Sequence, residues 1–154
     1  MTRHAFFGRP EGAFVPGGTH IAVYLVPVHD GQLVAFDVSA KQSRGRWLPW
    51  DILPWRGNPY VTASELADDW CGGALSDLVL VDVLSFEVPG EGWELAIVFR
   101  AVLTELPAGE DARRPFVFEP GRFDAIGNFE PVDLERWVLG SPQVAATPTP
   151  GLMF

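Results

Sequence analysis

Cysteine occurs once in this 154-residue chain, at Cys71, and lysine once, at Lys41. A single cysteine excludes an internal disulfide and any multi-cysteine zinc centre, and it suits a reducing compartment. Basic residues are scarce: 11 Lys and Arg stand against 20 Asp and Glu, for a formal net charge of −9. So acidic a chain lacks the cationic footprint that displaces counterions from phosphate backbones, which argues against a nucleic-acid polymer as partner. A small phosphorylated ligand stays open, because a bound divalent ion can bridge acidic protein and phosphate. Of the 3 histidines, His20 and His29 end one apolar run. Strand rise sets them roughly 30 Å apart, too far to share a metal. No apolar run approaches membrane-span length, and the first residues lack the apolar core of a signal peptide. The expected location is therefore cytoplasmic, without a membrane partner. There is no internal repeat, glycine-rich phosphate loop or nucleophile elbow.

What the chain has is apolar residues, 47% against 20% charged, including 6 Trp and 11 Phe. That composition and length suit one globular domain. Residues 1–18, rich in Gly and Pro, read as an N-terminal arm, 19–140 as the domain, and 141–154 as a flexible tail. Within the domain, 20–29 is apolar at both alternating sets of positions, so it predicts a central strand covered on both faces. Asp30-Gly31 is a hairpin signal, and 32–38 returns as the second strand. Residues 39–45 form a polar turn; with Lys41, Arg44 and Arg46 it is either a solvated loop or a phosphate receiver. Residues 78–88 and 93–106 predict an antiparallel pair across the turn at 89–92. Arg100 lies mid-strand among apolar neighbours and needs a partner. That partner is Asp82 or Glu94, or a ligand phosphate or carboxylate. Residues 107–120 read as a long polar loop, and 130–139 as a helix with Pro131 in its first turn and Leu134, Trp137 and Val138 buried.

The stretch 46–73 organises the rest. Thr62 and Glu65 have the spacing of a capping box, which predicts a helix from 62 to 71 stopped by Gly72 and Gly73. Ala63, Leu66, Ala67 and Trp70 recur at helical spacing as its core face. Glu65, Asp68 and Asp69 fall three and four apart on another face. Three neighbouring carboxylates are either a solvated acidic surface or hard oxygen ligands for Mg²⁺ or Mn²⁺.

Ser64-Glu65-Leu66-Ala67-Asp68-Asp69 resembles the core of the Nudix box, Arg-Glu-U-x-Glu-Glu with U apolar. Trp47-Leu48-Pro49 is similar to the step that precedes that box. By order of elements the resemblance runs from about residue 19 to residue 139. The chain departs from the pattern in several places. Trp50-Asp51 stands where the family has Gly-Gly, Arg56 or Gly57 where it has a loop Glu, and Ser64 where it has Arg. The resemblance implies a divergent Nudix protein of α+β class, a mixed curved sheet packed between helices as an α/β/α sandwich. It also implies Mg²⁺ or Mn²⁺ on Glu65, Asp68 and Asp69, with Glu65 catalytic and Glu119 a general base. Arg46, Trp50 and Arg100 would be substrate-binding, Trp50 either filling the groove or offering a stacking face. The activity implied is hydrolysis of a nucleoside diphosphate linked to another moiety. The alternative is an inactive ligand-binding or protein-interaction domain on the same fold. A homodimer is compatible with either.

Overall fold

A computed structural model describes residues 19–41, 44–88 and 92–140. The arm at 1–18 and the tail at 141–154 lie outside the described residues. The elements in chain order are β1 (Thr19–His29), β2 (Gln32–Val38), β3 (Gly45–Trp47), β4 (Trp50–Ile52) and α1 (Pro59–Cys71). There follow β5 (Leu75–Val88), β6 (Gly92–Leu103), β7 (Arg113–Val117) and α2 (Pro131–Leu139).

β1 is the centre of a mixed sheet with the path β3-β2-β1-β6-β5, to which β4 adds against β1 and β7 against β2. It pairs antiparallel with β2 and β4 and parallel with β6, from Thr19↔Trp93 to Val28↔Val102. Alternation along β1 explains the two layers. Ala22, Tyr24, Val26 and Val28 face one core with Leu48, Ile126, Phe129 and the α2 residues Leu134 and Trp137. Val23 and Leu25 face the other with Val34, Phe36, Phe99 and the α1 residues Ala63, Leu66, Ala67 and Cys71. The expected two-faced central strand, the Asp30-Gly31 hairpin and the α/β/α arrangement are all present.

α1 begins earlier than the capping box at Thr62 predicts. Its N-cap is Asn58, whose side chain accepts from the Tyr60 N–H at 2.9 Å, with Pro59 in the first turn. Asn at the cap followed by Pro at the first helical position is a complete start signal. Thr62 is thereby drawn inside the helix and buried, and Glu65 is left exposed on its surface. The predicted stop holds: Gly72 and Gly73 are both left-handed, and the Gly73 N–H donates to the Ala67 carbonyl at 3.1 Å. Trp70 differs from expectation. It is half-buried rather than enclosed, because in the last turn its ring extends beyond the packed face.

The pair β5–β6 forms as expected but is shifted, starting at Leu75 and ending at Leu103, with register shifts at Leu75/Asp77 and Leu80/Asp82. The stretch read as a polar loop contains a strand: β7 pairs antiparallel with β2 from Val34↔Val117 to Val38↔Arg113. Pro115 is compatible with β7 because, among the described residues, the strand has a sheet neighbour on one side only. Polar staples fix α2. The Trp137 Nε1–H donates to Asp82 at 2.9 Å, and Arg136 bridges Asp82 at 2.7 Å and Asp133 at 3.2 Å. Arg100 donates to the Trp137 carbonyl at 3.3 Å and the Gly140 carbonyl at 2.7 Å. It thus satisfies the end of α2 rather than pairing with Asp82 or Glu94. Glu94 is fully buried and accepts from the Tyr24 hydroxyl at 3.0 Å.

Candidate binding cavity beside the acidic helix

The turn between β3 and β4 is held by Leu48, which is buried beneath it. The anchor sets out two tryptophans. Trp50 lies near-parallel to Tyr24, centroids 6.2 Å apart at 26°. Trp47 packs on Gly127, where a Cβ would stand 3.3 Å from the ring and φ is +57°. Glycine at 127 thus removes the side chain that would push Trp47 aside. A third tryptophan comes from α1: Trp70 meets Phe36 edge-on, centroids 5.3 Å apart at 77°. The guanidinium of Arg113, at the start of β7, lies over the Trp70 ring at 4.4 Å. Its two Nη groups donate to the two carboxylate oxygens of Asp69, at 3.2 and 3.4 Å. Planar guanidinium suits both contacts at once, a fork for the carboxylate and a flat face for the indole.

These groups wall a cavity of about 290 Å³ containing Trp47, Trp50, Trp70, Asp51 and Arg113, completed by small aliphatic side chains. A second cavity, about 280 Å³, lies at the C-terminal end of α1 and is lined by Asp68, Asp69, Cys71 and Glu110. Trp70 and Arg113 line both. Burial pushes the Cys71 thiol from its ordinary 9.0 up to about 12, so at neutral pH it is a protonated thiol and a poor nucleophile.

The residues expected to hold a metal do not gather into a site. Among the described residues no three His, Cys, Asp or Glu side chains come together in a way that could hold an ion. Glu65 lines neither cavity. Asp68 turns toward the helix end, its Oδ1 2.6 Å from where a Cβ on Gly73 would lie. Asp69 has both oxygens engaged by Arg113. The donor set as arranged therefore does not fit an octahedral hard cation. Glu119 is exposed, pairs with Arg122 at 3.2 Å and lines neither cavity. Arg46 binds Asp37 at 2.8 Å and lies over Phe116 at 3.4 Å. Of the three expected substrate contacts, Trp50 is at the cavity, while Arg46 and Arg100 are outside its lining. Sequence reasoning missed Trp47, Asp51 and Arg113 as lining and assigned Trp70 to the core. The helical spacing of Trp70 could not reveal that its ring is shared between core and cavity.

The mixed sheet between two helices matches a Nudix-type α+β fold, and comparison with solved structures supports this. A MutT NUDIX hydrolase from Burkholderia pseudomallei superposes with a TM-score of 0.62 at 17% identity, over 76% of this chain and 96% of that one. A NUDIX hydrolase from Nitrosomonas europaea gives 0.53 at 12% identity, over 66% and 72%. A MutT/nudix family protein from Enterococcus faecalis gives 0.51 at 14%, over 65% and 43%. No protein-family model and no curated protein matches the sequence. Identities this low establish the fold and leave chemistry to the residues of this chain. No helix among the described residues is long and apolar enough to cross a membrane.

Proposed function

We propose that this Nudix-fold chain is a binding domain for a small organic molecule, taken up in the tryptophan-walled cavity, and that it does not hydrolyse diphosphates through a metal on α1. The observation that carries the reading is the Arg113 guanidinium, forked on Asp69 and flat on Trp70. A cation tethered to the chain stands where the family resemblance implies a free one. The cavity beside it offers indole walls, which suit apolar and flat ligand groups. The direct test combines two measurements on the full chain. Calorimetric titration with Mn²⁺ is expected to show no saturable binding at micromolar to low millimolar ion. Incubation with a panel of nucleoside diphosphate derivatives and Mg²⁺ is expected to release no product above the uncatalysed rate. Mg²⁺-dependent turnover that Asp69→Asn abolishes would overturn the reading.

One observation favours a second reading, hydrolysis of a small phosphorylated ligand. Glu65, Asp68 and Asp69 are all exposed on α1 at the family's spacing. Under this reading Mg²⁺ or Mn²⁺ would be supplied with the substrate, Glu65 would be catalytic, and Arg113 would have to leave Asp69. The turnover measurement separates the two readings.

A further inference from the structure

We infer that a second copy of this chain pairs with the outer edge of β5, strand against strand about a two-fold axis, so that two sheets become one.

β5 ends the sheet path, and among the described residues nothing pairs with its outer side. It is long, Leu75–Val88, and two large apolar side chains on it are exposed, Leu80 by 48% and Val83 by 52%. A long apolar edge left open is a template for another strand. The register on β6 shows what that edge offers. Leu78, Leu80, Val83, Ser85 and Glu87 stand opposite Ala101, Phe99, Ile97, Leu95 and Trp93. By alternation these share the α1 face of the sheet, where Ala101, Phe99 and Ile97 pack. The Leu78 N–H donates to Asp77 Oδ1 at 3.0 Å, and the Val83 N–H to Asp82 Oδ1 at 2.9 Å. Both amides therefore point away from β6, and antiparallel alternation turns those of Leu80 and Ser85 the same way. The residues before these two are Val79 and Leu84, which carry no side-chain acceptor.

The β-bulge selects the partner. It moves the alternation by one residue between Leu80 and Asp82, so the outward residues are 78 and 80 before it and 83 and 85 after it. A regular strand would match one half of this edge and miss the other, because a slip of one residue turns every side chain to the wrong face. A strand with the same bulge, run antiparallel about that bulge, matches both halves, and the strand that has it is β5 itself. Leu80 then meets Val83 of the second copy, and Leu78 meets its Ser85. On the other face Val79 meets Leu84, and Asp77 meets Phe86, so no acid is set directly against an acid. Asp82 does not stand in the way. Its Oδ2 stays with Trp137 and Arg136, while the Val83 N–H exchanges Asp82 Oδ1 for the Leu80 carbonyl of the second copy.

Pairing of this length buries roughly 500 Å² per copy, below the ~800 Å² of a standard interface, so the dimer is weak, with Kd on the order of 10–100 µM. Each copy carries a net charge of −9, so salt that screens their repulsion should tighten the dimer several-fold.

The test is sedimentation velocity on the full chain from about 5 to 500 µM, in low and high NaCl, with amide exchange by NMR over the same range. The expected result is a reversible monomer–dimer equilibrium in which the Leu80 and Ser85 amides exchange several-fold more slowly as the dimer fills. Leu80→Lys should weaken the dimer about 10-fold or more. Leu80→Lys combined with Val83→Glu should restore most of the loss, because each lysine then faces a glutamate of the other copy. Both side chains are exposed, so the variants should keep the wild-type melting temperature, which shows that they are folded. A chain that stays monomeric at 500 µM overturns the inference. So does a dimer in which the Leu80 and Ser85 amides exchange as in the monomer, or one that Leu80→Lys leaves intact. A double variant no tighter than Leu80→Lys overturns the two-fold register and the inference with it.

Discussion

Replacing Arg113 by Met removes a guanidinium and keeps an unbranched stem over Trp70. The ion pair with Asp69 is partly exposed, the two side chains being 25% and 64% accessible. A pair so placed contributes roughly 0.2–1 kcal/mol. The cation over Trp70 contributes a further ~0.5–1 kcal/mol, of which the thioether of Met recovers part through its own contact with the ring. The net cost is then about 1 kcal/mol, or a fall of roughly 2–4 °C in melting temperature for a domain of this size. The variant also leaves Asp69 without its cation beside Asp68, so a divalent ion should now restore stability. At an ion concentration of about ten times Kd the gain is ~1.4 kcal/mol, similar to what was lost. Differential scanning calorimetry with and without millimolar MnCl₂ reads both effects. Wild type should be indifferent to the ion. Arg113→Met should melt lower, recover in MnCl₂, and lose that recovery when Asp69→Asn is added. A wild type that is itself stabilised by MnCl₂, or an Arg113→Met variant indifferent to it, would refute the idea that the guanidinium occupies a cation's place.

Asn58→Ala should cost about 1 kcal/mol of stability in urea unfolding, because the side chain that accepts from Tyr60 is lost; Glu65→Gln should cost close to nothing, and the reverse order would move the helix start back to Thr62. Trp137→Ala should cost ~3–5 kcal/mol, since the ring is 1% exposed. Trp137→Phe should cost less but still lose the hydrogen bond to Asp82, both read from urea midpoints. The Cys71 thiol, raised from 9.0 to about 12 by burial, ionises more readily in the unfolded chain. Its contribution to stability is therefore full below pH 9 and is lost as pH rises toward 12. Measured unfolding free energies should fall over that window less steeply in Cys71→Ala.

Much of the fold is legible because it is written locally. The apolar residues of 20–29 are continuous, so a strand covered on both faces follows from them alone. The Asp30-Gly31 turn needs only its own two residues. The start of α1 is misread from Thr62 because a second cap signal, Asn58-Pro59, lies four residues upstream and competes with it. Proline in the first turn decides between them only once the preceding loop is known to be extended. β7 was invisible for a different reason. Two arginines and a proline look like loop, and the strand exists because β2, far back in the chain, offers it a ladder. The site shows the same division. The carboxylates of α1 were readable at helical spacing, but what they bind was not, since Arg113 reaches Asp69 across 44 residues. Spacing within a helix gives the distance between acids and says nothing of a cation delivered from another element. Arg100 was rightly seen to need partners, and these proved to be the carbonyls that end α2.

The parallel pairing of β1 with β6 also sets a timetable for synthesis. Tyr24 of β1 and Glu94 of β6, which end hydrogen-bonded in the core, are 70 residues apart. Ribosomes add about 5–20 residues each second, so β1 and β2 emerge roughly 4–14 s before the strand that completes them. Through that interval the hairpin carries two apolar faces and an open hydrogen-bonding edge on the β6 side. The nascent chain is therefore most vulnerable to self-association early, and conditions that slow elongation after the hairpin has left the tunnel should lower the soluble yield.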